Sequence, residues 1–280
     1  MSPAITEIAP DVYRICVLDP DIDLQVNHFL VKDDEPLLFH TALRHMWSDV
    51  REGVSKLIDP ARLRWISWSH FESDECGSLN DWLKIAPHAE PACGMIGARV
   101  NVNDFCGREA RILSPQDVVV TGKYRFRYYH TPQLPHGRDA GLLFEETQRT
   151  LFCSDLFHQQ GDIEPLAHSS IIDPCRQALA NIQASPLANY VPHTPNTRLI
   201  LEGLASLKPQ TLAVQHGSSF AGDGGAALLA LSTVMQELLS EPSYNFAIVY
   251  VRFDHGMLID HVPRSRAGPE VRPAFYVAGL

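Results

Sequence analysis

A layered α/β protein, with sheets held between helices, is the fold class that the sequence predicts. The chain opens as a meander of strand-like segments, and later turns to helices alternating with strands. It has 280 residues, 45% of them hydrophobic and 20% charged, enough apolar content for a sizeable core. Strands first, then a helix, then strands again before the alternation suits stacked layers better than a simple doubly wound sheet.

Val12-Tyr-Arg-Ile-Cys-Val-Leu18 is rich in β-branched and aromatic residues and reads as the first strand, ended by Pro20 and the Asp residues beside it. Residues 26–31 and 36–39 come next as strands on either side of Asp33-Asp34. Val50, Val54 and Leu57 share one helical face, which predicts a helix over 46–57 with Pro60 beyond it. A short buried strand over 64–68 and a short helix over 79–85 come after it. Residues 118–120 and 124–129 pair about Thr121-Gly122-Lys123, and 142–145 and 150–153 pair about Thr147-Gln148. Helices are predicted over 174–184 and 197–207, a strand over 211–215, and an amphipathic helix over 226–239 carrying Leu229, Leu231, Val234, Met235 and Leu238. Residues 1–240 are expected to form the working domain. Residues 241–280 hold a strand-like stretch at 246–251 and a Pro/Arg-rich tail, an extension without an assigned role.

Lys and Arg total 23 against 33 Asp and Glu, a net charge of −10, so no broad basic face and no nucleic-acid partner are expected. No apolar run reaches the roughly 18–20 residues of a bilayer span, and the first ten residues lack the charge and apolar core of a secretory signal. Cysteines at 16, 76, 93, 106, 153 and 175 form no Cys-x-x-Cys pair, which reads as the reduced thiols of a cytoplasmic protein with no membrane partner. A homo-oligomer is left open.

The informative pattern lies in the loops directly after four of the strands. After 64–68 comes His70-Phe-Glu72-Ser-Asp74-Glu75, after 124–129 come His130 and His136, after 150–153 comes Ser154-Asp155, and after 211–215 comes His216-Gly217. Strand ends on one edge of a sheet converge, and loops there carry chemistry. Three carboxylates within four positions repel one another unless a cation compensates them. His and carboxylate from four loops together are what a polynuclear metal site needs. His130 competes with His136 for the second loop.

His-x-Glu-x-Asp at 70–74, then His136 after Thr131-Pro132, then Asp155 at a strand end, then His216 before Gly217, resembles the motif series of the metallo-β-lactamase superfamily. Glu72 at the second motif position, and the segments 131–136, 151–157 and 215–220, look like the branch of flavodiiron proteins and stand-alone oxygen-binding diiron domains. The likeness runs from about residue 5 to 240 and implies a four-layer αββα metallo-β-lactamase-like sandwich. It implies two irons: His70, Glu72 and His136 on the first, Asp74 and His216 on the second, and Asp155 bridging. Where that branch often has a His after the motif Asp, this chain has Glu75, which would give the second iron a fourth carboxylate or leave a water there.

Three imidazoles and up to four carboxylates without a thiolate favour iron, or manganese, over structural zinc. Four ionised carboxylates also balance two divalent cations. The function expected is therefore a non-haem diiron protein that binds or reduces a diatomic such as O2 or NO. The alternatives are a dinuclear metallohydrolase of an ester, lactone, thioester or phosphodiester, with zinc in place of iron, and a non-catalytic sensing module. The forty residues after the core are too few for a flavodoxin-like domain, so no flavin is expected and an external redox protein would supply electrons. Around the site, His40 is expected behind the ligands, and His28 and His45 near the same edge. Tyr128, Tyr129, Trp68 and His158 each flank a ligand loop, which leaves two readings: they line the pocket, or, the favoured one, the aromatics are core and His158 lies on a surface loop; Cys153 is expected as a buried strand residue.

Overall fold

The computed structural model describes residues 2–240, so the segment at 246–251 and the tail lie outside the described residues. The first sheet takes its seven strands in chain order: β1 (Ala4–Ala9), β2 (Val12–Asp19), β3 (Leu24–Val31), β4 (Leu37–Phe39), β5 (Trp65–Ser67), β6 (Glu90–Gly94) and β7 (Arg111–Leu113). Pairing is antiparallel up to β4 and parallel from there on. Parallel neighbours need crossovers. These are α1 (Trp47–Ser55), then α2 (Ser73–Cys76) with α3 (Leu79–Ile85), then the π-helical Gly97–Val102 running into α4 (Asn103–Phe105).

The second sheet holds β8 (Val118–Val120), β9 (Arg125–His130), β10 (Gly141–Glu145), β11 (Thr150–Ser154), β12 (Leu166–Ala167), β13 (Thr211–Val214) and β14 (Ser219–Ala221), in the spatial order β12-β14-β13-β11-β10-β9-β8. Helices α5 (Ile172–Gln183) and α6 (Thr197–Ser206) precede β13, and α7 (Gly224–Leu239) comes after β14.

The two-residue period of the strands builds the layers. Leu30 and Leu38 turn toward Val50 and Val54 of α1 and Trp82 and Leu83 of α3. Their neighbours Phe29, Val31, Leu37 and Phe39 turn the other way, to meet Phe126, Leu143, Phe152 and Ala213 of the second sheet. Leu142, Phe144, Leu151, Leu212 and Val214 face outward again, onto Leu179, Leu201, Leu204, Leu228 and Leu231 of α5, α6 and α7. Phe152 sits between the sheets, with Phe29, Phe39 and Phe126 around it at ring-centre distances of 5.7, 5.1 and 5.9 Å. This is the four-layer αββα sandwich the sequence predicts. One glycine is required by that packing, because a Cβ on Gly141 would stand 2.1 Å from the Tyr128 hydroxyl.

Five strands lie beyond the predicted set. β1 is a half-buried edge strand with weak alternation, and β6, β7, β12 and β14 are short and carry little periodic signal. Among the described residues no helix is long and apolar enough to cross a membrane.

The pairing decides where chemistry gathers. β10 is antiparallel to both β9 and β11, and β11 is parallel to β13, so β9, β11 and β13 end on one edge. β4 and β5 are parallel and end together in the other sheet.

Candidate metal centre

Each loop at this edge is built to aim one or two side chains. After β5 the chain bends through residues 69–71, Glu72 is extended (φ −144°, ψ 159°), and the single helical turn α2 follows. Successive helical residues point about 100° apart, so Asp74 and Glu75 diverge. β11 ends in a bulge, where its register with β13 slips between Phe152 and Ser154 and Ser154 takes φ +52°. Such a bulge re-aims the next side chain, here Asp155. In the loop after β9 the Thr131 hydroxyl donates to Leu134 O at 2.7 Å and Gln133 N–H donates to Gly137 O at 2.8 Å, around the buried Leu134, and this holds His136 inward. His216 donates from Nδ1 to Gln25 O at 3.0 Å, and Gly217 comes next at φ +104°, where a Cβ would lie 2.6 Å from that of Gln159. The buried Arg14 secures this corner, donating to Gln25 Oε1 at 2.8 Å and Gly217 O at 3.2 Å.

Six of the seven sequence-predicted ligands meet in two groups that share Asp155. One group is His70, Glu72, His136 and Asp155, and the other is Asp74, Asp155 and His216. In the first, Glu72 Oε2 lies 3.1 Å from His70 Nε2 and 3.2 Å from His136 Nε2. Asp155 Oδ2 lies 3.5 and 2.8 Å from the same two nitrogens. In the second, His216 Nε2 lies 3.2 Å from Asp74 Oδ2 and 3.3 Å from Asp155 Oδ1. Asp155 thus sends one oxygen into each group, and the buried Oδ1 makes no hydrogen bond. Glu75 does not join them. Its carboxylate lies behind His70, with Oε1 3.2 Å from His70 Nδ1, so it is not among the donors of the second group as the sequence allowed.

Charge in the site is strongly coupled. Burial would discharge His70, but Glu75, Glu72 and Asp155 outweigh it and push the ring up to about 10. His216 rises to about 10 and His136 to about 9 for the same reason, burial opposed by Asp155 together with Asp74 or Glu72 respectively. Burial pulls the other way on Glu72, but His136, His70 and Tyr190 bring it to about 2. Asp155, also against burial, is held well below the usual carboxylate range by His136 and His216. Glu75 is pushed up to about 7 by burial. Three buried imidazoles, once they give up a ring proton, and three carboxylates form a donor set of the kind that cations take.

Other expectations divide. His130 ends β9 exposed and outside both groups, and His45 is exposed beside Asp19 at 3.9 Å. His40 is buried, with Nε2 3.5 Å from Glu75 Oε1, and His28 is buried with Nδ1 3.3 Å from Ile15 O. Trp68, Tyr128 and Cys153 are buried core residues, and Tyr129 packs on Phe144. His158, expected on the surface, is largely covered instead, its ring centre 5.0 Å from that of His216.

Several contributors carry no sequence signal. Tyr190, between α5 and α6, stacks on His136 at 4.5 Å and donates its hydroxyl to Glu72 Oε1. Gln215 donates to Asp74 Oδ2 at 3.0 Å. Ser69 and Ser154 both donate to Glu75.

A family model described as "ODP family beta lactamase" matches residues 24–217. The rubredoxin-oxygen oxidoreductase of Megalodesulfovibrio gigas is 21% identical over 227 residues, covering 80% of this chain and 56% of that protein. A solved rubredoxin oxygen:oxidoreductase from Desulfovibrio gigas superposes with a TM-score of 0.72 at 18% identity, over 82% of this chain and 61% of that one. A mutant flavo di-iron protein from Thermotoga maritima gives 0.71 at 22% identity, over 83% and 62%. A fragment (1–254) of a putative diflavin flavoprotein from Nostoc gives 0.71 at 16% identity, over 85% of this chain and 96% of the fragment. The chain spans between 28% and 56% of the length of the curated relatives it matches.

Proposed function

The chain belongs to the ODP family of beta lactamases, and from that premise we propose that it is a non-haem diiron protein that binds or reduces a diatomic such as O2 or NO. His70, Glu72, His136 and Asp155 would hold one iron, and Asp74, Asp155 and His216 the other. The observation that carries this reading is the pair of donor groups joined through the two oxygens of Asp155, rich in carboxylate and free of thiolate. When bound, a reducible metal pair supplies electrons to the diatomic.

The chain's own residues do the rest. Asp155 ties the two groups together. Glu72 adds a negative charge to the four-donor group, which favours higher oxidation states over the Lewis acidity wanted for hydrolysis. Tyr190 donates its hydroxyl to the other oxygen of Glu72 and lays its ring against His136. Arg14 and Gln25 fix the orientation of His216. The likeness to a rubredoxin-oxygen oxidoreductase supports O2 as the diatomic and a small external redox protein as the electron donor.

The test is an anaerobic metal count on protein purified without added metal, and then exposure to O2 or NO with and without a reductant. Two irons per chain, a near-UV or visible band on oxidation, and consumption sustained by the reductant are expected. Two zincs with esterase activity would overturn the reading in favour of a hydrolase. Uptake of O2 that no reductant sustains would reassign the chain as a sensor.

A further inference from the structure

We propose that Glu75 is a positioning residue: its carboxylate, acting through the Ser69 hydroxyl, fixes His70 with Nε2 toward the four-donor group, and it lends no donor to the three-donor group. The inference rests on the metal centre proposed above and goes beyond it in assigning the one predicted ligand that stands apart.

The hydrogen bonds around Glu75 are complete. Oε2 accepts from the main-chain N–H of Ser69 at 2.9 Å and of His70 at 2.8 Å. Oε1 accepts from the Ser69 hydroxyl at 3.0 Å and from the Ser154 hydroxyl. A carboxylate offers about four lone-pair directions, and four donors occupy them. Glu75 is fully buried, so water does not compete for these bonds. A cation would have to displace at least one of these donors to reach the carboxylate.

The same bonds settle the tautomer of His70. Ser69 Oγ lies 2.7 Å from His70 Nδ1. Its single proton goes to Glu75 or to Ser154 Oγ at 2.7 Å, so toward the ring it accepts. Nδ1 therefore keeps its proton, and the ring proton that a cation displaces is the one on Nε2, the atom that faces Glu72 and Asp155. With the carboxylate gone, the Ser69 proton is free to turn to Nδ1, which puts the ring proton on Nε2 where the cation belongs. A carboxylate hydrogen-bonded behind an imidazole ligand also raises the basicity of that ligand, and losing such a partner typically costs about 10–100-fold in metal affinity.

Co(II) serves as the probe, titrated anaerobically and monitored by its visible absorption and by calorimetry. His216→Ala leaves only the four-donor group and His136→Ala leaves the three-donor group intact. Glu75→Gln is expected to weaken Co(II) binding about 10–100-fold in the His216→Ala background and to leave it unchanged in the His136→Ala background. Ser69→Ala, which retains the carboxylate and its main-chain donors, is expected to do the same, and carries the test if Glu75→Gln does not fold. In the Zn(II)-loaded wild-type chain, long-range proton–nitrogen NMR should show His70 bound through Nε2 with Nδ1 protonated. The opposite pattern, weakening only in the His136→Ala background, or ligation through Nδ1, overturns the role of Glu75 alone. A wild-type chain that takes up no Co(II) overturns the metal centre, and this proposal falls with it.

Discussion

The two halves of the centre share Asp155 and are otherwise built differently. The half around His70, Glu72 and His136 has four donors, two imidazole rings edge-to-face at 4.0 Å, and a tyrosine over it. The half around Asp74 and His216 has three donors and a glutamine amide on its carboxylate. The difference comes from a single helical turn. Ahead of α2, His70 and Glu72 reach one group, while inside α2 Asp74 reaches the other and Glu75 turns behind.

The most severe way to break the comparison is to remove what both halves share. Asp155→Ala should empty both sites, and metal analysis that still finds close to two ions per chain would refute the bridging role. In the metal-free protein the same change takes from the His136 and His216 charges one of their two carboxylates, leaving Glu72 and Asp74 respectively. Breaking such a buried pair costs about 3–5 kcal/mol, to be read as a lower denaturation midpoint. Next in size are changes that strike one half each. Glu72→Ala should abolish only the four-donor site and Asp74→Ala only the three-donor site, each leaving about one ion per chain. Loss of both ions in either variant would mean that the halves do not bind independently.

Much of this centre was legible because its donors come directly after strands, and the ends of parallel strands meet whatever lies between them. His70, Asp155 and His216 are all of that kind. His136 was legible only with the Thr131-Pro132 motif ahead of it, since His130 sits nearer the strand and points away. Glu75 was visible as a residue, but its role depends on a four-residue helix that no periodicity announces. Tyr190 was not legible at all, because it reaches the site from a loop between two helices, 118 positions from the Glu72 it bonds. The fold shows the same limit. Long alternating strands such as β2 and β3 declared themselves, whereas β12, two residues long, exists because β14 offers it a partner.

Proton release sharpens the comparison further. Without metal, His70 and His136 are held protonated up to about 10 and 9, and His216 up to about 10. A ring nitrogen must be deprotonated to bind metal. At neutral pH the four-donor half therefore releases two ring protons on loading, and the three-donor half one. Affinity should rise with pH by about 100-fold per unit at the first and about tenfold at the second, levelling off above about pH 9–10. The sign for the metal-free fold is opposite. These raised values stabilise it below about pH 6.5, the free histidine value, and that contribution is lost as pH climbs through 9–10. Equal slopes for the two sites would show that the halves share their protons.

The smallest expected effect belongs to Tyr190, which touches only the four-donor half. It is 40% exposed, so Tyr190→Phe should keep the fold within about 0.5 kcal/mol of wild type. The substitution retains the ring over His136 and removes only the hydroxyl on Glu72. A single hydrogen bond of this kind is worth about 0.5–1.5 kcal/mol, which corresponds to about a 2–10-fold fall in turnover with a diatomic at unchanged metal content. Tyr190→Ala removes the ring as well and should fall further. If Tyr190→Phe matches wild type while Tyr190→Ala is slowed, the stacked ring and not the hydroxyl is what Tyr190 contributes. If both match wild type, the difference between the halves lies in their donors alone.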